Sequence, residues 1–230
     1  MTQTVVIQVG QCGNQIGCQF WERALGEHAA FNRSGTYDAA LASLFRNVDT
    51  RYSPARELAA GDGRGPVASL RARSVLIDME EGVVSGLQRG RLGELFDPQH
   101  CVTSVSGSGN NWAVGFYGYG SRYGEDICEV VRKATELCDC LQSFLLLHSM
   151  GGGTGSGLGT HVLTMLRDEY PDVYRFVTAV YPSEVRGWER VRWGVYESKV
   201  GRPLDSCSRR FKLHIVHQQT LHSGLGIAPG

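Results

Sequence analysis

The apolar run Phe144-Leu145-Leu146-Leu147-His148, followed two residues later by Gly151-Gly152-Gly153-Thr154-Gly155-Ser156-Gly157, decides how this chain folds. Five residues of that character have the length and composition of a strand buried on both faces. Beyond the glycines, Leu158, Val162, Leu163 and Leu166 fall at helical spacing. A strand that enters a helix through a glycine-rich turn forms an anion site. Backbone N–H groups converge there, and the helix dipole adds positive potential. Glycines let the main chain approach a phosphate closely and reach conformations closed to other residues. A phosphate cradle is the first functional expectation.

The same strand-then-loop pattern recurs on either side. Val5-Val6-Ile7-Gln8-Val9 runs into the loop Gly10-Gln11-Cys12-Gly13-Asn14-Gln15 and then a helical stretch through Phe20, Trp21 and Leu25. Ser74-Val75-Leu76-Ile77 reads as a second strand ended by Asp78, and Val102 to Val105 as a third, followed by Ser106-Gly107-Ser108-Gly109-Asn110-Asn111-Trp112. Ile127, Val130, Val131, Ala134 and Leu137 mark an amphipathic helix, and Phe176 to Val180 a last strand. Alternating strands and helices imply crossover connections. The expected fold is therefore α/β, with a mostly parallel sheet and helices on both faces. Sheets of this kind bind ligands beyond the carboxyl ends of their strands, where these loops converge. Residues 31–70 break the pattern and read as a long surface loop, with Tyr52-Ser53-Pro54 and Gly61-Asp62-Gly63-Arg64-Gly65-Pro66 as its turns.

Bulk composition narrows the class. The 230 residues are 42% apolar and 20% charged with zero net charge, ordinary for a globular protein and without the footprint of a nucleic-acid or membrane binder. No stretch approaches the roughly 20 apolar residues of a membrane span, and Met1 to Gly10 has no signal-peptide pattern, so the cytoplasm is the expected compartment. The seven cysteines are odd in number and unpatterned, as expected of free thiols. Charge is uneven along the chain. From Glu184 onward there are eight Lys/Arg to four Asp/Glu, and the β/α alternation stops.

Two common phosphate folds fit poorly. The P-loop needs a lysine that the 151–157 segment lacks, and the dinucleotide fingerprint fails at its last glycine and belongs after a first strand. Three loops taken together fit better: Gly10-Gln11-Cys12-Gly13-Asn14-Gln15-Ile16-Gly17, Gly107-Ser108-Gly109-Asn110-Asn111-Trp112-Ala113, and Gly151 to Gly157. In combination they resemble the tubulin family over about residues 1–183. Asp78-Met79-Glu80-Glu81-Gly82 and Phe45-Arg46-Asn47-Val48-Asp49-Thr50-Arg51 look more like the epsilon type than the alpha or beta types, which tend to have proline where Glu81 stands.

The resemblance implies a Rossmann-like tubulin nucleotide-binding domain that is incomplete, with GTP and Mg2+ as its cofactors. It assigns Gln11 and Cys12 to nucleotide contact, Asn110 to the distal phosphates, Ser149, Gly152, Gly153, Thr154 and Gly155 to the phosphate loop, and Glu80, with Asp78 second to it in the same acidic loop, to the metal. On residue type alone other roles compete: helix N-terminal polarity for Gln11, a small buried hydrophobe for Cys12, an Asx turn for Asn110, a helix cap for Thr154, and simple solvation for Glu80. Trp112 reads as core packing and His148 as a packed strand-end residue.

After Tyr181-Pro182-Ser183 the resemblance ends. Residues 184–230 read as an unrelated basic tail, either disordered or the product of a misjoined or alternatively spliced exon, and the sheet is expected to end at residue 180. Relative to the family, the phosphate half of the site is expected to be present and the guanine-reading half absent, and the shortened sheet to be marginally stable. The family's trans-acting acidic residue would lie in the missing part, which leaves hydrolysis in doubt. The implied role is an epsilon-type cytoskeletal GTP-binding protein of centriole, centrosome and microtubule organisation. Its partners would be other tubulins, by longitudinal contact through the nucleotide face, and centriolar proteins. Two other readings remain open: a non-polymerising fragment that regulates tubulin partners, and a small standalone nucleotide hydrolase.

Overall fold

A computed structural model describes residues 2–52, 55–58 and 65–181, together with the backbone of 192–197. Its elements in chain order are β1 (Gln3–Val9), α1 (Gly10–Phe31), α2 (Ala39–Leu44), β2 (Phe45–Asp49), β3 (Arg56–Glu57), β4 (Ser69–Ala72), β5 (Ser74–Asp78), α3 (Glu81–Arg89), β6 (Cys101–Thr103), α4 (Gly120–Glu136), β7 (Leu141–Ser149), α5 (Gly159–Glu169), β8 (Tyr174–Tyr181) and β9 (Arg192–Glu197). Helices α4 and α5 are each entered through a π-helical turn, Val114–Tyr119 and Thr154–Leu158.

The main sheet has the order β6-β5-β1-β7-β8-β9, with parallel pairing from β6 to β8. Strands β1, β5 and β7 read as largely apolar runs because both faces are covered. Val5, Ile7 and Val9 of β1 join Ile127 and Val131 of α4 and Val162 and Leu166 of α5 in one core. Val6, pointing the other way, joins Trp21 of α1, Leu41 of α2 and Val84 of α3 in a second. The mostly parallel α/β architecture is thus as the alternation of strand and helix patterns indicates.

Three features differ from the sequence reading. Gly10 to Gln15 is not a loop, since α1 begins at Gly10 directly from the strand. Residues 31–70 are not one long connection. They hold the end of α1, all of α2 and a small antiparallel sheet of order β3-β2-β4. Its central strand buries Arg46, Asn47 and Asp49, which gives it no apolar period to read. The turn residues Ser53, Pro54 and 61–64 lie outside the described residues. Finally, the sheet does not end at residue 180. Strand β9 adds antiparallel to β8, from Phe176↔Glu197 to Tyr181↔Arg192, satisfying the edge of β8 with a segment from the basic tail. The remainder of the tail lies outside the described residues.

The strand order fixes where a ligand can sit. The chain leaves β1 for β5 and β6 on one side, then returns to β7 and β8 on the other. Connections diverge between β1 and β7, and at such a switch point the carboxyl ends of the strands open a crevice.

Candidate functional site

Residues at the carboxyl ends of five strands, and just beyond them, line that crevice, an open cleft of about 550 Å³. Gly10, Gln11 and Cys12 follow β1; Asp78 ends β5 and Glu80 lies just beyond it; Gly107, Ser108, Gly109 and Asn110 follow β6; Ser149 ends β7, with Gly151 to Gly155 after it; Val180 and Tyr181 end β8. Every residue that the sequence assigns to nucleotide or metal therefore stands on one wall or another of a single cleft. Gly107, Ser108, Gly109, Val180 and Tyr181 join them, though no contact was assigned to these five from the sequence. The glycine-serine composition of the 106–109 segment was the signal for the first three.

Two helix N-termini open into the cleft. Neither α1 nor the helix entered at Gly153 has a side-chain cap or an acidic residue in its first turn. First-turn N–H groups without intrahelical or side-chain partners are donors for an anion. Gly10 has φ +75°, and a Cβ there would lie 2.9 Å from the nitrogen of Gly155, so glycine is required where the two loops touch.

The loops are also tied side chain to side chain. The Thr154 and Ser108 hydroxyls are 3.0 Å apart, joining the glycine-rich turn to the 107–110 loop. Thr154 is therefore not serving as a simple helix cap. The Ser149 hydroxyl accepts from the Gly151 N–H at 3.1 Å and reaches the Val180 carbonyl at 3.4 Å, shaping the turn from within. Asn111, not Asn110, makes the Asx-type cap, accepting from the N–H groups of Ala113 and Val114. Asn110 is left exposed on the cleft with φ 58°, a left-handed conformation that asparagine tolerates. Gln11 is exposed in the first turn of α1. Cys12 is partly buried beside it, and that burial raises its thiol pKa, with a hydrogen bond from Ser149 opposing the rise. Trp112 is not core: it is 41% exposed and stacks on Phe116 with centroids 4.7 Å apart, because the chain turns into the π-helical segment at the cleft rim.

His148, buried at the end of β7, is hydrogen-bonded through Nδ1 to the Gly155 carbonyl at 2.8 Å. Burial pushes its pKa down, and that hydrogen bond only partly opposes the shift. The neutral ring donates to the carbonyl and anchors the glycine-rich turn from below. Because the folded-state pKa lies beneath the ordinary 6.5, stability is complete above that pH and falls as pH drops through it. His100, buried and shifted the same way, adds to the loss. Asp78, whose carboxyl is raised by burial to about 6, works in the opposite sense over the same range, so the histidine contribution is read as a difference. In urea titrations between pH 7.5 and 5, His148→Asn, which can keep the donor and does not titrate, should lose less stability than wild type.

The acidic corner divides unequally. Asp78 is 3% exposed; its Oδ2 has no partner and its Oδ1 faces the Glu80 N–H at 3.4 Å. Burial lifts its carboxyl to about 6, against the pull of the Glu80 and Met79 N–H groups. Glu80 is exposed, with its carboxylate over Gly107. A buried carboxylate oxygen without a partner, beside a second carboxylate, fits a divalent cation. Among the described residues no cluster of three or more acidic, His or Cys side chains could cage one alone. Two carboxylates at most suit Mg2+, which completes its shell with waters and phosphate oxygens. Asp78 thus fits a metal role at least as well as Glu80.

Among the described residues no helix is long and apolar enough to cross a membrane. Residues 3–195 match the GTPase domain of the Tubulin/FtsZ family. The chain is 61% identical over 187 residues to the tubulin epsilon chain of Mus musculus and 59% identical over 187 residues to that of Homo sapiens. It is 43% identical over 183 residues to the human tubulin beta-1 chain. Each match covers 80% of this chain and 38% of the relative, so the chain spans well under half the length of the curated relatives it matches. With its three glycine-bearing loops gathered at the switch point of a parallel sheet, and with higher identity to these epsilon chains than to the beta chain, this chain belongs to the tubulin family.

Proposed function

We propose that the cleft binds the phosphate chain of GTP together with Mg2+, and that the chain acts as an epsilon-type tubulin in centriole, centrosome and microtubule organisation. The observation that carries the binding proposal is the gathering of Gly152 to Gly155, backed by two uncapped helix N-termini, and of the Asp78–Glu80 pair in one cleft. Positive backbone potential would meet the phosphates, and the carboxylates would hold the cation. Gln11, Asn110 and Thr154 add neutral donors to the same cleft. Bound Mg2+ would neutralise phosphate charge; the glycine turn would orient the chain and His148 would keep that turn in place. The cellular role rests on similarity to epsilon chains, and longitudinal partners of the tubulin type would meet the face on which the cleft opens.

The metal part has its own test. Asp78→Asn and Glu80→Gln each remove one carboxylate and keep the shape. In equilibrium titrations each should weaken GTP binding about tenfold with Mg2+ present, the scale of a lost charge-assisted contact, and change little in EDTA. Equal affinity of both variants and wild type in Mg2+ would remove the carboxylates from the site.

A further inference from the structure

The 104–109 segment carries one wall of the cleft, yet it contains no regular structure and its Val105 and Ser106 are exposed. What holds it is a pair of tyrosines from the helix that follows. The Tyr119 hydroxyl donates to the Ser106 carbonyl at 2.7 Å, with the Gly107 carbonyl at 3.1 Å and the Ser106 hydroxyl at 3.4 Å. One turn on, the Tyr123 hydroxyl is 2.8 Å from that of Ser104. The two rings lie 5.9 Å apart and pack against the core beneath α4 and α5. Of the two residues whose carbonyls Tyr119 holds, Gly107 lies under the Glu80 carboxylate, and the next residue, Ser108, is joined to Thr154.

We infer that Tyr119 is a positioning residue for the terminal phosphate and its cation. It touches neither group; it acts through the Ser106–Gly107 backbone, which sets both Glu80 and the Ser108–Thr154 tie. The inference rests on the nucleotide reading above. A divalent cation bound with a nucleoside triphosphate bridges the two outer phosphates. The corner between Glu80 and Ser108 is accordingly where an outer phosphate would meet the cation, whereas the N-terminus of α1 at Gly10, held against Gly155, presents its N–H donors without help from Tyr119. Loosening the 104–109 segment should therefore cost affinity for a magnesium-bound triphosphate and spare a diphosphate without metal. A residue with only a folding role would affect both alike.

The experiment compares full-length wild type, Tyr119→Phe, Tyr123→Phe and, as a control, Tyr117→Phe, whose ring is 65% exposed at the rim. Titrations use GTP with Mg2+ and GDP in EDTA, alongside amide hydrogen exchange over 104–111. Tyr119→Phe keeps the ring and its packing and removes only the hydroxyl. Its affinity for Mg2+-GTP should fall about five- to tenfold, the range of one lost hydrogen bond, while GDP binding stays within about twofold. Exchange should accelerate within 104–111 and nowhere else. Tyr123→Phe should shift both readouts the same way but less, and Tyr117→Phe should match wild type. Equal losses for the two ligands, or none in a wild type that binds GTP, would overturn the role of Tyr119 and leave the nucleotide reading standing. A wild type that binds neither ligand would overturn the nucleotide reading and this inference with it.

Discussion

Gly153→Val should bind Mg2+-GTP about a hundredfold more weakly than wild type, at the upper end of what overpacking costs in a close-packed site. A Cβ at residue 153 would lie 2.6 Å from the Asn111 nitrogen and 2.8 Å from the Asn111 oxygen, and closer still to the Ser108 hydroxyl. Two of those atoms are backbone and cannot rotate aside. The glycine turn and the 107–111 loop would have to separate, which breaks the Ser108–Thr154 tie and moves first-turn N–H groups away from the phosphates. Both loops lie at the sheet edge, so the damage should remain local. Circular dichroism should stay close to wild type while isothermal titration loses its signal. Gly86, exposed on α3 away from the cleft and with nothing within 4 Å of an added Cβ, is the matched control: Gly86→Ala should bind as wild type does.

Trp21→Ala should have the largest effect on stability, about 3–5 kcal/mol by the measure of other buried aromatic truncations. The indole is fully buried under α1, edge-on to Phe20 at 5.0 Å and to Phe45 at 5.2 Å. Through Phe45 it joins the small antiparallel sheet to the main one, and the same cluster includes Val6, Leu76 and Leu147 from three strands. Truncation therefore opens a cavity where two sheets and a helix meet. The buried indole Nε1 has no partner, so Trp21→Phe, which retains an aromatic ring and removes that polar atom, should cost less than alanine. Urea midpoints of the three chains would measure this. Because Trp21 does not line the cleft, the variant should still bind, and saturating GTP should recover part of the lost stability by mass action.

Much of the main sheet was legible because its strands are buried on both faces. Val5–Val9, Ser74–Ile77 and Phe144–Leu147 could be read from composition alone. The small sheet was not. In β2 the buried positions include Arg46, Asn47 and Asp49, each made tolerable by a partner distant in sequence or by a local turn: Arg46 pairs with Asp97, Asn47 bonds Pro66 and Ala68, and Asp49 pairs with Arg51. Burial set by such pairings leaves no hydrophobic period. Strand β9 did leave a signal, since Arg192-Trp193-Gly194-Val195-Tyr196-Glu197 is rich in aromatic and β-branched residues, but the unperiodic segment before it masked the strand.

The site divides along the same line. Glycine clusters announce close backbone approach in any context, and three of them pointed to one cleft before any coordinates. Asp78 looked like the polar end of a strand; only the packing around it strips its carboxylate of solvent and leaves one oxygen without a partner. Tyr119 looked like any aromatic on a helix face, and its hold on Ser106 exists only because the chain folds back across 13 residues.

On the proposed reading this cleft recognises phosphate and not merely a purine. Equilibrium titration of the full chain with fluorescent GTP in Mg2+, followed by competition with GDP, inorganic triphosphate and guanosine, tests it directly. The phosphate-cradle account predicts binding that GDP and inorganic triphosphate displace and guanosine does not. Absence of binding, or displacement by guanosine with inorganic triphosphate inert, would contradict it.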